Sequence, residues 1–284
     1  MQDGDILLVQ EKYVLDILKQ FEMEGCKSAS TPLEQGVKLS VKDSPGDDLG
    51  KARMEAYPYR QVVGKLMYLA VCTRPDICQA VSELSRFNSN PGLKHWESAM
   101  RVLRYLSGTA NVGLLYKKGE SLDIWGYVDA SHTSCPDSNK GRAAYVFMSG
   151  GAPVSWASKR VGNGSLSSCE TEYMGLTLAA QEACYLGDLR AEMYGNIGKK
   201  REVKCVDLLT DSQSAKSLAE NPIYHGRSKH ILAKWHFIRQ RVEKGWIKLI
   251  DVRTELMGAD MMTKAVGPSV LGVNMKLIGM SKSG

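Results

Sequence analysis

The spacing of apolar residues changes period once along this chain, near residue 112. Upstream of it the repeat is helical. Val63, Leu66, Met67 and Ala70 lie on one face, then Ala80, Val81, Leu84 and Phe87, then Trp96, Met100, Leu103 and Leu106. Pro75 and the Asn90-Pro91-Gly92 turn separate these three helices. Downstream the repeat is two, and strands are expected at 122–130, 142–149 and 152–158. A pattern of period 3.6 buries its apolar atoms only as a helix, and one of period 2 only as a strand. The chain therefore has a helical front and a sheet-bearing back.

The back can be laid out further. Gly150-Gly151 is a two-residue turn, so the strands flanking it should form a hairpin. A long helix is expected at 168–194, a strand at 203–210, helices at 212–220 and 229–244, a strand at 246–253 and a short helix after Gly258. The order βββαβααβα predicts an α/β fold, one mixed five-stranded sheet with helices packed on it. In the front, residues 6–25 read as a short strand and then a helix with Tyr13, Ile17, Leu18 and Phe21 on one face. Residues 27–56, with Ser28-Ala29-Ser30-Thr31-Pro32 and Lys42-Asp43-Ser44-Pro45-Gly46-Asp47-Asp48, read as a linker.

Composition narrows the setting. With 43% hydrophobic residues in 284, the chain can bury a core. No run approaches the roughly 18–20 apolar residues of a membrane span, and the N-terminus carries no signal-peptide pattern. Met1-Gln2-Asp3-Gly4-Asp5 runs straight into the apolar Ile6-Leu7-Leu8-Val9, as in a piece cut from a longer chain. Seven cysteines, none in a Cys-x-x-Cys pair, point to reduced thiols in an intracellular compartment rather than a disulfide frame or a zinc site. The net charge of +6 permits a polyanionic partner without requiring one.

Two aspartates stand where an expected strand runs into a polar loop, Asp129 in "DIWGYVDASH" and Asp211 in "LLTDSQSA". Either alone is an ordinary loop cap. With a glutamate on the intervening helix and Asp260 after the last strand they make a set of four carboxylates, held rigid by the sheet while the loops admit solvent. "SSCETEY" offers two glutamates, Glu170 and Glu172, roughly 200° apart around a helix, so only one can face the sheet. Ser167 and Glu170 fit a capping box, and Glu170 shares a polar stripe with Thr177, Gln181 and Asp188. Glu172 lines up with Leu176, Ala179, Ala183 and Leu186, the stripe expected to pack on the sheet. Asp123, Asp207 and Asp251 read as surface or edge residues. Asp207 lies about 13 Å along the strand from Asp211, and Asp251 is the second choice for the fourth acid.

"YRQVVGKLMYLAVCTRPDICQAVSELSRF", "HWESAMRVLRYLSGT", "VSWASKR", "SSCETEYMGL", "DSQSAKSLAENP", "RSKHI" and "ADMMTK" occur in that order. Together they resemble the C-terminal part of a copia-type LTR-retrotransposon polyprotein. The resemblance implies a reverse transcriptase thumb-like remnant and linker at 1–56, a helical connection at 57–118, an RNase H domain at 119–266 and a C-terminal tail at 267–284. It also settles the reading of Tyr127-Val128-Asp129. In this family the Tyr-x-Asp-Asp polymerase site precedes the connection helices, so Asp129 matches the first Asp of the RNase H strand and the chain is not expected to copy nucleic acid. The family's Asp-Ala-Asp-Trp is Asp129-Ala130-Ser131-His132 here, "ELMGAD" replaces Glu-Gln-x-Ala-Asp, and no His lies between Val252 and Asp260.

The implied chemistry is hydrolysis of the RNA strand of an RNA–DNA hybrid. It calls for an activated water and for stabilised charge on the phosphoryl group and the leaving 3′-oxygen, which two Mg²⁺ ions about 3.5–4 Å apart can supply. Mn²⁺ is expected to substitute. Asp129 would bridge the ions, Glu172 and Asp211 would hold the first, and Asp260 would help hold the second. Expected substrate contacts are Ser131, Ser212 and Gln213 beside the acids, and Arg227, Lys229, His230 and Lys234 in the basic segment "HGRSKHILAKWHFIRQRVEK". His230 and His236 are six apart, not the four that places two ligands on one helical face. Other implied partners are the rest of the polyprotein, its polymerase palm and integrase, within a cytoplasmic particle. The rival reading is a catalytically inactive hybrid-binding or scaffold fragment. An integrase-like nuclease is disfavoured by the lack of a His-His-Cys-Cys segment.

The basic segment predicts a salt dependence. Hybrid affinity should fall steeply with salt, and each lost phosphate contact should flatten the log–log slope by about 0.9. Replacing Arg227 and Lys229 together and titrating hybrid at several salt concentrations checks this. Unchanged affinity and slope would leave that segment merely solvated.

Overall fold

Near the middle of the molecule one arginine, Arg142, is entirely without solvent exposure, and the elements around it define the architecture. The computed structural model describes residues 4–132, 135–138, 140–161, 167–195, 205–220 and 232–283. In chain order they form β1 (Ile6–Leu8), α1 (Glu11–Gln20), α2 (Asp48–Met54), α3 (Tyr59–Cys72), α4 (Cys78–Leu84), α5 (Leu93–Ser107), β2 (Val112–Tyr116), β3 (Trp125–Ser131), β4 (Gly141–Ser149) and β5 (Ala152–Val161). There follow α6 (Ser168–Gly195), β6 (Val206–Thr210), α7 (Gln213–Glu220), α8 (Leu232–Glu243), β7 (Ile247–Asp251), α9 (Pro268–Leu277) and β8 (Met280–Lys282).

Five strands make the expected mixed sheet in the order β5-β4-β3-β6-β7. β5, β4 and β3 are antiparallel, and β3, β6 and β7 are parallel. Ser149 pairs with Ala152 across the expected two-residue turn, and Gly150 and Gly151 both have positive φ, 61° and 82°. A tight hairpin turn of this hand requires that geometry at both positions.

The sheet is covered on both faces, and β4 shows why. Ala143, Tyr145 and Phe147 point into a core shared with α6, α7 and α8, including Tyr173, Leu176, Ala179, Ala183, Ala215 and Ile238. Ala144, Val146 and Met148 point the other way, into a second core with Val62, Val63, Leu66 and Leu69 of α3 and Ala80, Val81 and Leu84 of α4. That second core also takes in Met257, Ala259, Met261 and Met262. A strand buried on both faces reads as a continuous apolar run rather than an alternation, as "AAYVFM" does. One hydrophobic core therefore runs across residue 118, from the helical front into the sheet.

Two short strands escape the sequence reading. β1, β2 and β8 form a separate antiparallel sheet in which β2 is central, joining the start, middle and end of the chain. Strands of three to five residues leave too few alternations to register as a period. Residues 267–284, set apart as a tail, contribute α9 and β8. The expected linker contains α2, whose N-terminus is capped by Asp47 accepting from the Gly50 N–H at 2.9 Å.

Arg142 holds front and back together. Its guanidinium donates to Ser82 Oγ at 2.8 Å, to Ser158 Oγ at 2.9 Å and to the Glu83 carboxylate. Ser82 and Glu83 belong to α4 and Ser158 to β5. Ser158 Oγ in turn donates to the Met262 carbonyl at 2.6 Å. Glu83 also pairs with Arg86 at 2.6 Å, and Arg86 reaches Asp137 in the β3–β4 loop. Asp137 closes the chain by accepting from Ser40 Oγ at 2.5 Å and from the Val41 N–H. Removing one partner of a buried ion pair leaves the other charge uncompensated. Glu83→Gln should therefore destabilise the protein by about 3 kcal/mol in urea unfolding, on the scale of such losses. A fall below about 1 kcal/mol would show that Arg142 is satisfied without Glu83.

Candidate active site

β3 outruns its parallel neighbour. The β3–β6 ladder pairs Tyr127 with Leu209, and continuing that register two residues brings Asp129 abreast of Asp211. Both follow from where the strands end, since β6 stops at Thr210 and Asp211 is the next residue. Asp129 is buried and Asp211 half-buried.

α6 comes down on β3 and β4 at Gly175. A Cβ there would lie 3.4 Å from the Cβ atoms of both Ala130 and Ala143 and 3.6 Å from the Asp129 carbonyl oxygen. Three residues earlier, about one turn along the same helical face, Glu172 overhangs the end of β3. The Ala130 N–H beside its carboxylate favours the charged form. Asp260 opens a 3-10 turn, Asp260–Met262, whose two methionines are buried in the core behind the sheet. The next two residues reach back to the acids. Thr263 Oγ1 donates to Asp129 Oδ2 at 2.5 Å, and Lys264 Nζ pairs with Asp260 Oδ1 at 2.5 Å.

The four acids share one electrostatic environment. Burial pushes the Asp129 carboxyl up to about 7; the Thr263 hydroxyl opposes this, and the charges of Asp260 and Asp211 add to it. Burial likewise pushes Glu172 up to about 8, reinforced by Asp129 and Asp211 and opposed by the Ala130 N–H. For Lys264, burial alone would favour the neutral amine. The hydrogen bond and charge of Asp260, with Asp129 and Asp211 behind it, outweigh that and hold its pKa above the usual value. Among the described residues no three His, Cys, Asp or Glu side chains are gathered as a ready-made metal site. Two of the carboxylates are already engaged by Thr263 and Lys264.

Ser131 ends β3 and lines a cleft of about 290 Å³ with His132, Thr263, Lys264 and residues 36–39 of the front. Ser212 serves as a cap, its Oγ accepting from the Ala215 N–H at 3.3 Å, and Gln213 is exposed at the start of α7. Arg227, Lys229 and His230 lie outside the described residues, as does the side chain of Lys234. In the same segment Arg241 stacks over Trp246 at 4.4 Å and Arg239 pairs with Glu243 at 2.9 Å. Asp251 is exposed and pairs with Lys216 at 2.6 Å. Asp123 pairs with Arg190 at 2.6 Å.

One expectation is corrected. Ser167 Oγ accepts from the Glu170 N–H at 3.2 Å, as an N-cap should. Gln181 and Asp188 are exposed, but Glu170 and Thr177 are buried, so these four do not form a solvated stripe. α8 packs against α6, and a helix covered on two sides loses the one-sided pattern on which such a reading depends. Three residues had no role assigned in advance. His132 Nδ1 lies 2.9 Å from Thr171 Oγ1, beside Glu172. Thr263 and Lys264 were visible only as part of "ADMMTK".

No family model matches the chain. The Pol polyprotein of transposon TNT 1-94 from Nicotiana tabacum is 39% identical over 273 residues, 96% of this chain. That of transposon RE1 from Arabidopsis thaliana is 33% identical over 275 residues, 97% of this chain. The chain belongs to the copia-type retrotransposon Pol polyproteins. It spans about a fifth of their length, 20% and 18% respectively. Among solved structures, the LC11-RNase H1 complex with an RNA/DNA hybrid matches 48% of this chain and 88% of its own, with TM-score 0.33 and 14% identity.

The two glutamates of this Pol fragment should respond oppositely to neutralisation. Without divalent cations and above pH 8, where the Glu172 carboxyl is charged, Glu172→Gln removes a like charge from the cluster and should melt no lower than the parent. Glu170→Gln should cost about 1 kcal/mol at the helix start. Thermal denaturation in chelator checks both. A Glu172→Gln variant that melts well below the parent would make Glu172 a structural residue.

Proposed function

We propose that this chain is the RNase H part of a copia-type Pol polyprotein and hydrolyses the RNA strand of RNA–DNA hybrids. The observation that carries the reading is that Asp129, Glu172 and Asp211, on two adjacent parallel strands and the helix across them, lie near enough to repel one another's charge, with Asp260 acting on Asp129 as well. The donor set fits Mg²⁺, and Mn²⁺ in its place. All four ligands are hard carboxylate oxygens, and burial with mutual repulsion leaves them short of positive charge. When bound, such ions supply an activated water and stabilise charge on the phosphoryl oxygens and the leaving 3′-oxygen.

The chain's own residues provide the geometry. Asp129, central in the set, would hold both ions, with Glu172 and Asp211 on one side and Asp260 on the other. The Ala130 N–H favours the charged form of Glu172, and the Thr263 hydroxyl orients Asp129. Ser131 and Gln213 flank the acids where 2′-hydroxyls of a hybrid would pass, and the segment from Arg227 to Lys234 would hold its phosphates.

Incubation with labelled hybrid in Mg²⁺, beside duplex DNA and duplex RNA, tests the reading. Cleavage of the RNA strand in the hybrid alone is expected. Asp129→Asn should lower the rate by at least about a thousandfold, roughly 4 kcal/mol of transition-state stabilisation, and leave hybrid binding nearly intact. Hydrolysis by Asp129→Asn at the parent rate would overturn the assignment. Tight hybrid binding without any hydrolysis by the parent would favour the inactive binding fragment.

A further inference from the structure

Lys264 is the one member of the "ADMMTK" turn that faces the acids with a charge of its own. We propose that Lys264 is a resident cation of the four-carboxylate cluster, seated on its Asp260 side, and that it sets how tightly the cluster takes divalent metal ions. This rests on the reading that the cluster is a metal site.

The geometry separates this pair from an ordinary helical ion pair. Lys264 Nζ lies 2.5 Å from Asp260 Oδ1, and the Asp260 side chain is only 11% exposed. Its charge also acts on Asp129, Asp211 and Glu172, so a single ammonium serves all four acids. The backbone leaves it little choice. Met261 and Met262 are anchored in the core, and Thr263 is buried with its hydroxyl on Asp129, so the following residue must emerge at the rim of the cluster.

The same side chain can leave. Lys264 is 51% exposed and lines the open cleft with Lys38, Ser131 and His132. A lysine is a compact charge on a flexible four-carbon stem. It can compensate the acids while no metal is present and swing into the cleft when an ion arrives. An ion on the Asp260 side must displace this ammonium or bind beside it, and either weakens its binding. Asp260 is directed at Lys264, and one oxygen of Asp129 at Thr263.

The test is Mn²⁺ binding to the full chain without nucleic acid, by calorimetry, for the parent, Lys264→Met, Lys264→Gln, Lys264→Arg and Asp129→Asn. Lys264→Met and Lys264→Gln should bind Mn²⁺ about tenfold more tightly or take up one further ion, while Lys264→Arg stays close to the parent. Metal-free Lys264→Met should melt below the parent, and saturating Mn²⁺ should raise its melting temperature by more than it raises the parent's. Equal or weaker Mn²⁺ binding by both neutral variants, with binding still lost in Asp129→Asn, would overturn the role of Lys264 and leave the metal site standing. Absence of Mn²⁺ binding in the parent and both neutral variants, or binding unaffected by Asp129→Asn, would overturn the metal reading and this proposal with it.

Discussion

The buried pair of Arg142 and Glu83 is the constraint on which the rest of this structure turns. An arginine with no solvent exposure can place its donors only inside the protein, and Arg142 places those of its two terminal nitrogens on α4 and β5, its Nε having no partner among the described residues. These partners lie far apart in sequence, so the guanidinium forces the helical front against the face of the sheet opposite α6. Arg142 is also paired with Ser131 across β3 and β4, two residues beyond Asp129. The electrostatic joint between front and back is therefore built beside the candidate active site. Ser158, which accepts from Arg142, donates to Met262 in the turn that carries Asp260. The same network thus positions Asp260.

A second buried arginine applies the same logic within the front. Arg74 forks onto Asp76 at 2.9 and 2.7 Å and donates to Thr109, while Tyr105 donates to Asp76 at 2.7 Å. These bonds tie the turn after α3 to the end of α5. Pairs of this kind add little net stability compared with apolar packing, but each admits few alternative geometries. Here they fix the seat against which the sheet's second face is packed.

Bringing four carboxylates together is costly. The fold meets part of that cost locally, with the Ala130 N–H beside Glu172, the Thr263 hydroxyl on Asp129 and the Lys264 ammonium on Asp260. Each comes from backbone already fixed for packing reasons. The close approach of α6 at Gly175, where a Cβ would already meet Ala130 and Ala143 in ordinary contact, serves packing and the placement of Glu172 together. The β4 run and the long α6 helix are thus parts of the site although neither Gly175 nor Ala143 carries chemistry.

Much of this was legible in the residues. The change of period near residue 112, the Gly150-Gly151 turn and the order of elements determine the mixed sheet, because apolar spacing and turn sterics are local properties. The positions of Asp129 and Asp211 at strand ends, and the choice of Glu172 as the glutamate facing the sheet, also follow from local periodicity. The sequence alone did not reveal β2 and β8, the burial of Glu170, or the roles of Arg142, Thr263 and Lys264. Those depend on neighbours remote in the chain. β8 becomes a strand only by pairing with β2, and Lys264 meets the acids only after Met261 and Met262 are anchored in the core. Local sequence determines which elements form and which faces they bury. Tertiary packing decides which charges are brought within reach of one another, because that distance is set by all the contacts between.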